Sequence, residues 1–228
     1  MSRIERYPSM QDASHRACEL VRQAAEQARA AKGWFSLAIS GGSTPRRFLS
    51  MLSQTEYIDW KNIHVFLVDE RLVSEQSPDS NLGQAKELFL KKVPIPQEQI
   101  HAPSTSLPFE QSAKEYEERI WGVFDQDFPE LDIIHLGMGS DGHTASLFPQ
   151  STQLEENSRL VSGVPARGSP ALPRVSMTLP LINASRIVFF LLQGEQKSSL
   201  VQQIKVGQNN LPAALVLPKN ELYWLLAS

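Results

Sequence analysis

A histidine two residues beyond an aspartate, both set behind a glycine-rich turn, is the part of this sequence best equipped for chemistry. The run reads Gly137-Met-Gly-Ser-Asp-Gly-His143. Imidazole is the side chain suited to take and return a proton near neutral pH. Asp141 could orient that ring, or only cap the turn that follows. Gly137, Gly139 and Gly142 let the backbone turn sharply and pass close to a ligand. Just before them, Leu131-Asp-Ile-Ile-His-Leu136 has the branched, apolar character of a buried strand. A strand that ends in glycines and then presents a histidine is a common way to build a site at the edge of an α/β sheet.

Other segments offer cations and phosphate-sized turns. Ser40-Gly41-Gly42-Ser43-Thr44-Pro45 joins a predicted strand to a predicted helix. Its glycines, its amides and the hydroxyls of Ser43 and Thr44 can hold a phosphate, with Arg46 and Arg47 close behind. The same loop could instead be a tight turn in which Ser43 or Thr44 caps the helix. Asp69-Glu70-Arg71 follows another strand, where one arginine can make paired bonds to a phosphate or carboxylate, or sit in a solvated salt bridge. Lys197 falls in the first turn of a helix that begins after Gly194. The helix dipole disfavours a cation there unless an anion binds. Arg167 and Arg174 lie in or beside a glycine- and proline-rich segment and could reach the same mouth.

Several familiar patterns are excluded. Gly137-x-Gly139-x-x-Gly142 matches the dinucleotide fingerprint in form, but Pro149 stops any long helix and no acid ends a following strand at the required distance. Ser40–Pro45 lacks the Gly-Lys-Ser/Thr ending of a P-loop. Ser140 has Met138, not glycine, two residues before it, so it is not a nucleophile elbow. The five histidines are scattered without metal-ligand spacing, and no metal is expected. His135 shares a strand face with Ile133 and is expected in the core.

These residues need a scaffold. Helices are predicted at 10–31, 45–51, 82–91, 108–124 and 194–204. Strands are predicted at 34–39, 63–68, 131–136, 159–164, 174–179, 186–192, 213–217 and 222–226. Alternating strands and helices argue for an α/β fold with a mostly parallel sheet covered on both faces. With no repeat, linker or low-complexity tract, residues 1–228 are expected to form one domain. A net charge of −3 gives no electrostatic footprint for nucleic acid or an anionic membrane. The lone Cys18, the absence of an apolar leader and the shortness of the longest apolar run suggest a cytoplasmic protein.

In order, Ser40-Gly-Gly-Ser-Thr-Pro45, Asp69-Glu-Arg71, Asp79-Ser-Asn81, Leu136 to Pro149, Arg174-Val-Ser-Met-Thr178 and Gly194-x-x-Lys197 resemble the 6-phosphogluconolactonase family. The resemblance spans about residues 34–218. It implies a Rossmann-like fold shared with glucosamine-6-phosphate deaminase, ribose-5-phosphate isomerase and CoA-transferase-like proteins. It also implies hydrolysis of 6-phosphoglucono-δ-lactone without metal or organic cofactor, and no obligate protein partner. Glucosamine-6-phosphate deaminases share several of these turns. They usually follow Asp-Glu with an aromatic residue, where Arg71 stands here, and continue Asp-Gly-His into Ile-Ala-Phe-Asn-Glu-Pro, where this chain reads Thr144 to Pro149. A sugar-phosphate-binding sensor is a third reading, for which no appended DNA-binding motif is visible. Ser77 replaces a histidine frequent in the family, and the Trp224-Leu-Leu-Ala-Ser228 ending lacks its usual aspartate.

The resemblance and the residue types together set expected roles. His143 would take a proton from water attacking the lactone carbonyl, with Asp141 orienting it. Arg71 would steady the carbonyl oxygen or the substrate hydroxyls, with Asp69 placing it or the sugar. Gly41, Gly42, Ser43, Thr44, Arg46, Gly139, Arg174 and Lys197 would form the substrate- and phosphate-binding surface.

Overall fold

The computed structural model describes residues 2–55, 58–125, 127–207 and 210–228. Among the described residues, ten strands and six α-helices follow one another. They are β1 (Ser2–Tyr7), α1 (Met10–Lys32), β2 (Phe35–Ile39), α2 (Arg46–Leu52), β3 (Ile63–Leu67), β4 (Asp69–Arg71), α3 (Asn81–Leu88), β5 (Ile100–His101), α4 (Phe109–Val123), β6 (Ile133–Leu136), β7 (Val161–Arg167), β8 (Leu172–Met177), α5 (Leu179–Ala184), β9 (Ile187–Gln193), α6 (Glu195–Lys205) and β10 (Glu221–Ala227).

Seven strands form one sheet in the order β1-β10-β9-β6-β2-β3-β5, and every neighbouring pair is parallel. Alternation along the strands feeds two cores. Leu37, Val65, Phe189 and Leu225 meet α1 and α2 on one face. Ala38, Phe66, Phe190 and Trp224 meet α4 and α5 on the other. Burial on both faces explains why these strands read as continuous apolar runs. α1 carries its stop signals in sequence: Ser9 accepts the Asp12 amide at one end, and Gly33 donates to the Arg29 carbonyl at the other.

Connections leave the sheet centre in opposite directions. After β2 the chain moves out to β3 and β5. After β6, the other neighbour of β2, it moves out through β9 and β10. Such a switch point opens a crevice beyond the carboxyl ends of the strands. β2 and β6 pair only at Leu37–Ile133 and Ala38–Ile134, then part. A second, antiparallel sheet, β4-β8-β7, stands beside this opening.

The predicted α/β architecture is the one observed, with local corrections. Residues 213–217 do not form a strand; Pro212–Leu215 form a 3-10 turn. The helix predicted to Lys91 ends at Leu88 and gives way to a 3-10 turn. β1, β4, β5 and α5 were not expected. β1 escapes a reading of apolar alternation because Arg3, Glu5 and Arg6 dominate it, although it pairs along its whole length with β10. No helix of the described residues is long and apolar enough to cross a membrane.

Candidate active site

The carboxyl ends of four adjacent strands converge on one cleft of about 180 Å³. β2 delivers Ser40–Pro45, and β3 leads directly into Asp69 and Arg71. β6 delivers Gly137, Met138, Gly139 and His143, and the turn after β9 delivers Lys197. Arg174 enters from β8, and Asn81 from the start of α3.

His143 is held from two sides. Its Nδ1 lies 2.5 Å from Asp141 Oδ1, and its amide donates to the same oxygen at 3.1 Å. Asp141 therefore both orients the ring and caps the turn. An ionised carboxylate only accepts, so the proton of a neutral imidazole is assigned to Nδ1 and the lone pair to Nε2. Partial burial pushes the Asp141 carboxyl up, but the His143 amide and ring outweigh it and leave the carboxyl below the usual aspartate range. The imidazole also packs on Phe148, with centroids 4.7 Å apart. No helix begins at His143; the chain forms tight turns closed by a bridge between Thr144 and Leu147.

Arg71 and Arg174 face each other directly across the β4–β8 ladder. Like charges at such a cross-strand pair repel. Burial lowers the Arg174 guanidinium, Asp69 opposes that shift, and Arg71 adds to it. Each arginine spends one terminal nitrogen on a backbone carbonyl, Arg71 on Asp79 at 2.7 Å and Arg174 on Pro170 at 3.1 Å. Both buried Nε atoms find no partner among the described residues. Two opposed, partly unpaired guanidinium groups on a cleft suit an anionic or hydroxyl-rich ligand.

Asp69 is 6% exposed and heavily constrained. The Ser146 hydroxyl donates to Oδ2 at 2.6 Å, and Asn81 Nδ2 donates to Oδ1 at 3.2 Å and to the backbone oxygen at 2.8 Å. Glu70 points the other way and is fully buried. Its carboxylate accepts the amides of Arg71, Asn81 and Leu82, which fixes the start of α3 and hence Asn81. Burial still raises its pKa, although those amides pull it down. A Cβ at Gly41 would fall 2.0 Å from Asn81 Oδ1, so the loop after β2 approaches Asn81 too closely for a side chain.

Of the residues expected to bind substrate, Gly41, Gly42, Ser43, Thr44, Gly139, Arg174 and Lys197 line the cleft, as do Asp69, Arg71 and His143. Arg46 does not: it is exposed at the start of α2, outside the lining. Arg167 is also outside, where it donates to the Pro149 carbonyl. Asn81, Ser40 and Ser146 were not singled out for the site. Asp79-Ser-Asn81 was visible as a segment, but only the fold shows Asn81 reaching Asp69. Among the described residues no group of three or more His, Cys, Asp or Glu side chains is arranged to hold a metal.

The chain is similar to known proteins along nearly its whole length. The model of the family described as glucosamine-6-phosphate isomerases/6-phosphogluconolactonase matches residues 8–224. A 6-phosphogluconolactonase of Synechocystis is 38% identical, covering 92% of this chain and 89% of its own. The human 6-phosphogluconolactonase is 34% identical, over 98% of this chain and 90% of its own. The crystal structure of the Thermotoga maritima 6-phosphogluconolactonase superposes with a TM-score of 0.91 at 29% identity, over the full length of both chains.

Proposed function

The chain belongs to the glucosamine-6-phosphate isomerase/6-phosphogluconolactonase family and hydrolyses 6-phosphoglucono-δ-lactone to 6-phosphogluconate in the pentose phosphate pathway; we propose that His143 is the base that activates the attacking water. The observation that carries this role is the commitment of Nδ1 to Asp141, which leaves the Nε2 lone pair for the cleft.

In this mechanism Nε2 takes one proton from water as the water oxygen bonds to the lactone carbonyl carbon. Charge that develops on the carbonyl oxygen is met by the Arg71 guanidinium. Collapse of the tetrahedral species breaks the bond to the ring oxygen, which takes the proton back from the imidazolium. Asp141 stabilises the imidazolium while it lasts. Asp69, held by Ser146 and Asn81, orients Arg71 and the sugar. The Gly41–Thr44 loop, Arg174 and Lys197 hold the phosphate. The opposed arginines Arg71 and Arg174 repel each other until the anionic substrate arrives between them. A cytoplasmic location belongs to the same proposal, supported by a single, buried and unpaired cysteine.

Lactone generated in situ from glucose 6-phosphate, with spontaneous loss subtracted, provides the assay. Accelerated loss is expected with this substrate, and no ammonia is expected from glucosamine 6-phosphate. Ammonia release would move the chemistry to the deaminase branch.

Lys197→Ala is expected to raise KM by about 10- to 100-fold, the range for losing a hydrogen bond to a charged group, with a much smaller change in kcat. The pH dependence follows from burial, which lowers the Lys197 pKa from the ordinary lysine value. A bound anion favours the charged form, so binding takes up a proton when the free lysine is neutral. Affinity for 6-phosphogluconate should therefore weaken as pH rises through the lowered value. Calorimetric titration at several pH values should show this alkaline loss in the wild type and not in Lys197→Ala. An unchanged alkaline loss in the variant would remove Lys197 from the phosphate site.

A further inference from the structure

A fully buried ionisable group near the cleft, His135, has no part in the mechanism above. It sits on β6, 0% exposed, between Phe48 and Phe189, whose ring centroids each lie 5.2 Å away. A histidine so placed packs no better than leucine and costs an unsatisfied polar atom, since its Nε2 finds no partner. Burial holds the ring neutral, with a pKa near 3.

What the imidazole does is visible one strand away. β2 and β6 stop pairing after Ala38–Ile134, where the crevice opens. Ser40, the first residue of the phosphate loop, lies just past that break and is itself buried. Its amide donates to His135 Nδ1 at 3.3 Å, and its hydroxyl donates to the His135 carbonyl at 3.1 Å. A buried amide without an acceptor is costly. The side chain thus supplies the acceptor that the parting strands withdraw, and Ser40 keeps its position although the ladder has ended.

We propose that His135 is a positioning residue, which fixes the phosphate-binding loop to β6 through Ser40 and so sets affinity for the phosphorylated end of the substrate. This inference rests on the reading that residues 41–44 hold the phosphate.

Two variants separate positioning from packing. His135→Leu fills the space between Phe48 and Phe189 but offers no acceptor. His135→Asn leaves a cavity, yet its Oδ1 falls near the position of Nδ1. His135→Asn should therefore have the lower Tm of the two. Function should rank them the other way. His135→Leu is expected to raise KM for 6-phosphoglucono-δ-lactone about five- to tenfold with kcat within about twofold, and His135→Asn to recover most of the loss. Glucono-δ-lactone, which lacks the phosphate, should be turned over equally by both variants and the wild type.

A KM that follows Tm, worse in Asn than in Leu, would overturn the proposal, as would an equal penalty on both lactones. Ser43→Ala/Thr44→Ala tests the underlying reading separately. If that double variant raises KM for the phosphorylated lactone and His135→Leu does not, the positioning role fails alone. If neither does, the phosphate loop fails and the positioning role goes with it.

Discussion

His143→Ala is expected to lower kcat for 6-phosphoglucono-δ-lactone by about 10²–10⁴-fold, the contribution typical of a general base, while KM stays near the wild-type value. The imidazole is partly exposed, with 31% of its side-chain surface accessible, so water can reach it. His143 is not among the groups assigned to hold the phosphate. A loss shown mainly in KM, or kcat within a few-fold of wild type, would show that His143 shapes the cleft without moving the proton. The lactone also opens spontaneously, so the comparison needs initial rates at enzyme concentrations well above that background. Asp141→Ala should be milder. It frees the ring to choose its tautomer and orientation but leaves the base in place.

Much of this site was legible in the sequence because its parts lie at strand ends. Ile63 to Val68, Leu131 to Leu136 and Arg186 to Leu192 are short apolar runs bounded by polar or glycine-rich turns, and such runs identify buried parallel strands. Once those strands are placed side by side, Ser40–Pro45, Asp69, Arg71, His143 and Lys197 must share one end of the sheet. Their convergence required no knowledge of side-chain geometry.

What was not legible depends on pairing between distant segments. Asn81 reads as an ordinary helix-start residue. Its contact with Asp69 exists because the buried Glu70 draws the start of α3 onto β4. Ser146 lies 77 positions from Asp69 and reads as one more hydroxyl in a turn. His135 was correctly placed in the core by its alternation with Ile133, but its bond to Ser40 depends on where β2 and β6 part, which no local pattern records. Arg46 misled for the opposite reason. Proximity to the phosphate loop in sequence suggested a contact, whereas the turn into α2 carries its side chain to the surface.

Gly139→Ala is expected to reduce kcat by about 10²-fold or more, close to the effect of His143→Ala, although it removes no functional group. The three glycines of the apparent fingerprint serve different ends. A Cβ at Gly137 would meet nothing within 4 Å, and one at Gly142 would meet the side chain of Leu211. One at Gly139 would lie 2.2 Å from His143 Nδ1 and Cε1 and 2.7 Å from Asp141 Oδ1. None of these distances is tolerable, so something must move. The Gly139 backbone is tied at both ends, donating to the His143 carbonyl at 2.9 Å and accepting from the Gly142 amide at 3.1 Å. The imidazole is the softer partner. It must swing away from Asp141, losing both its orientation and its tautomer. Gly122→Ala is the control: on α4 a Cβ there meets nothing within 4 Å, and it should leave kcat unchanged. The decisive measurement is the double variant Gly139→Ala/His143→Ala. If the alanine acts only by displacing the base, the double variant should be no slower than His143→Ala, because neighbouring effects on one group do not add. A further drop of tenfold or more (about 1.4 kcal/mol) would instead mean that Gly139 contributes through its own backbone, most directly by letting the substrate approach the turn.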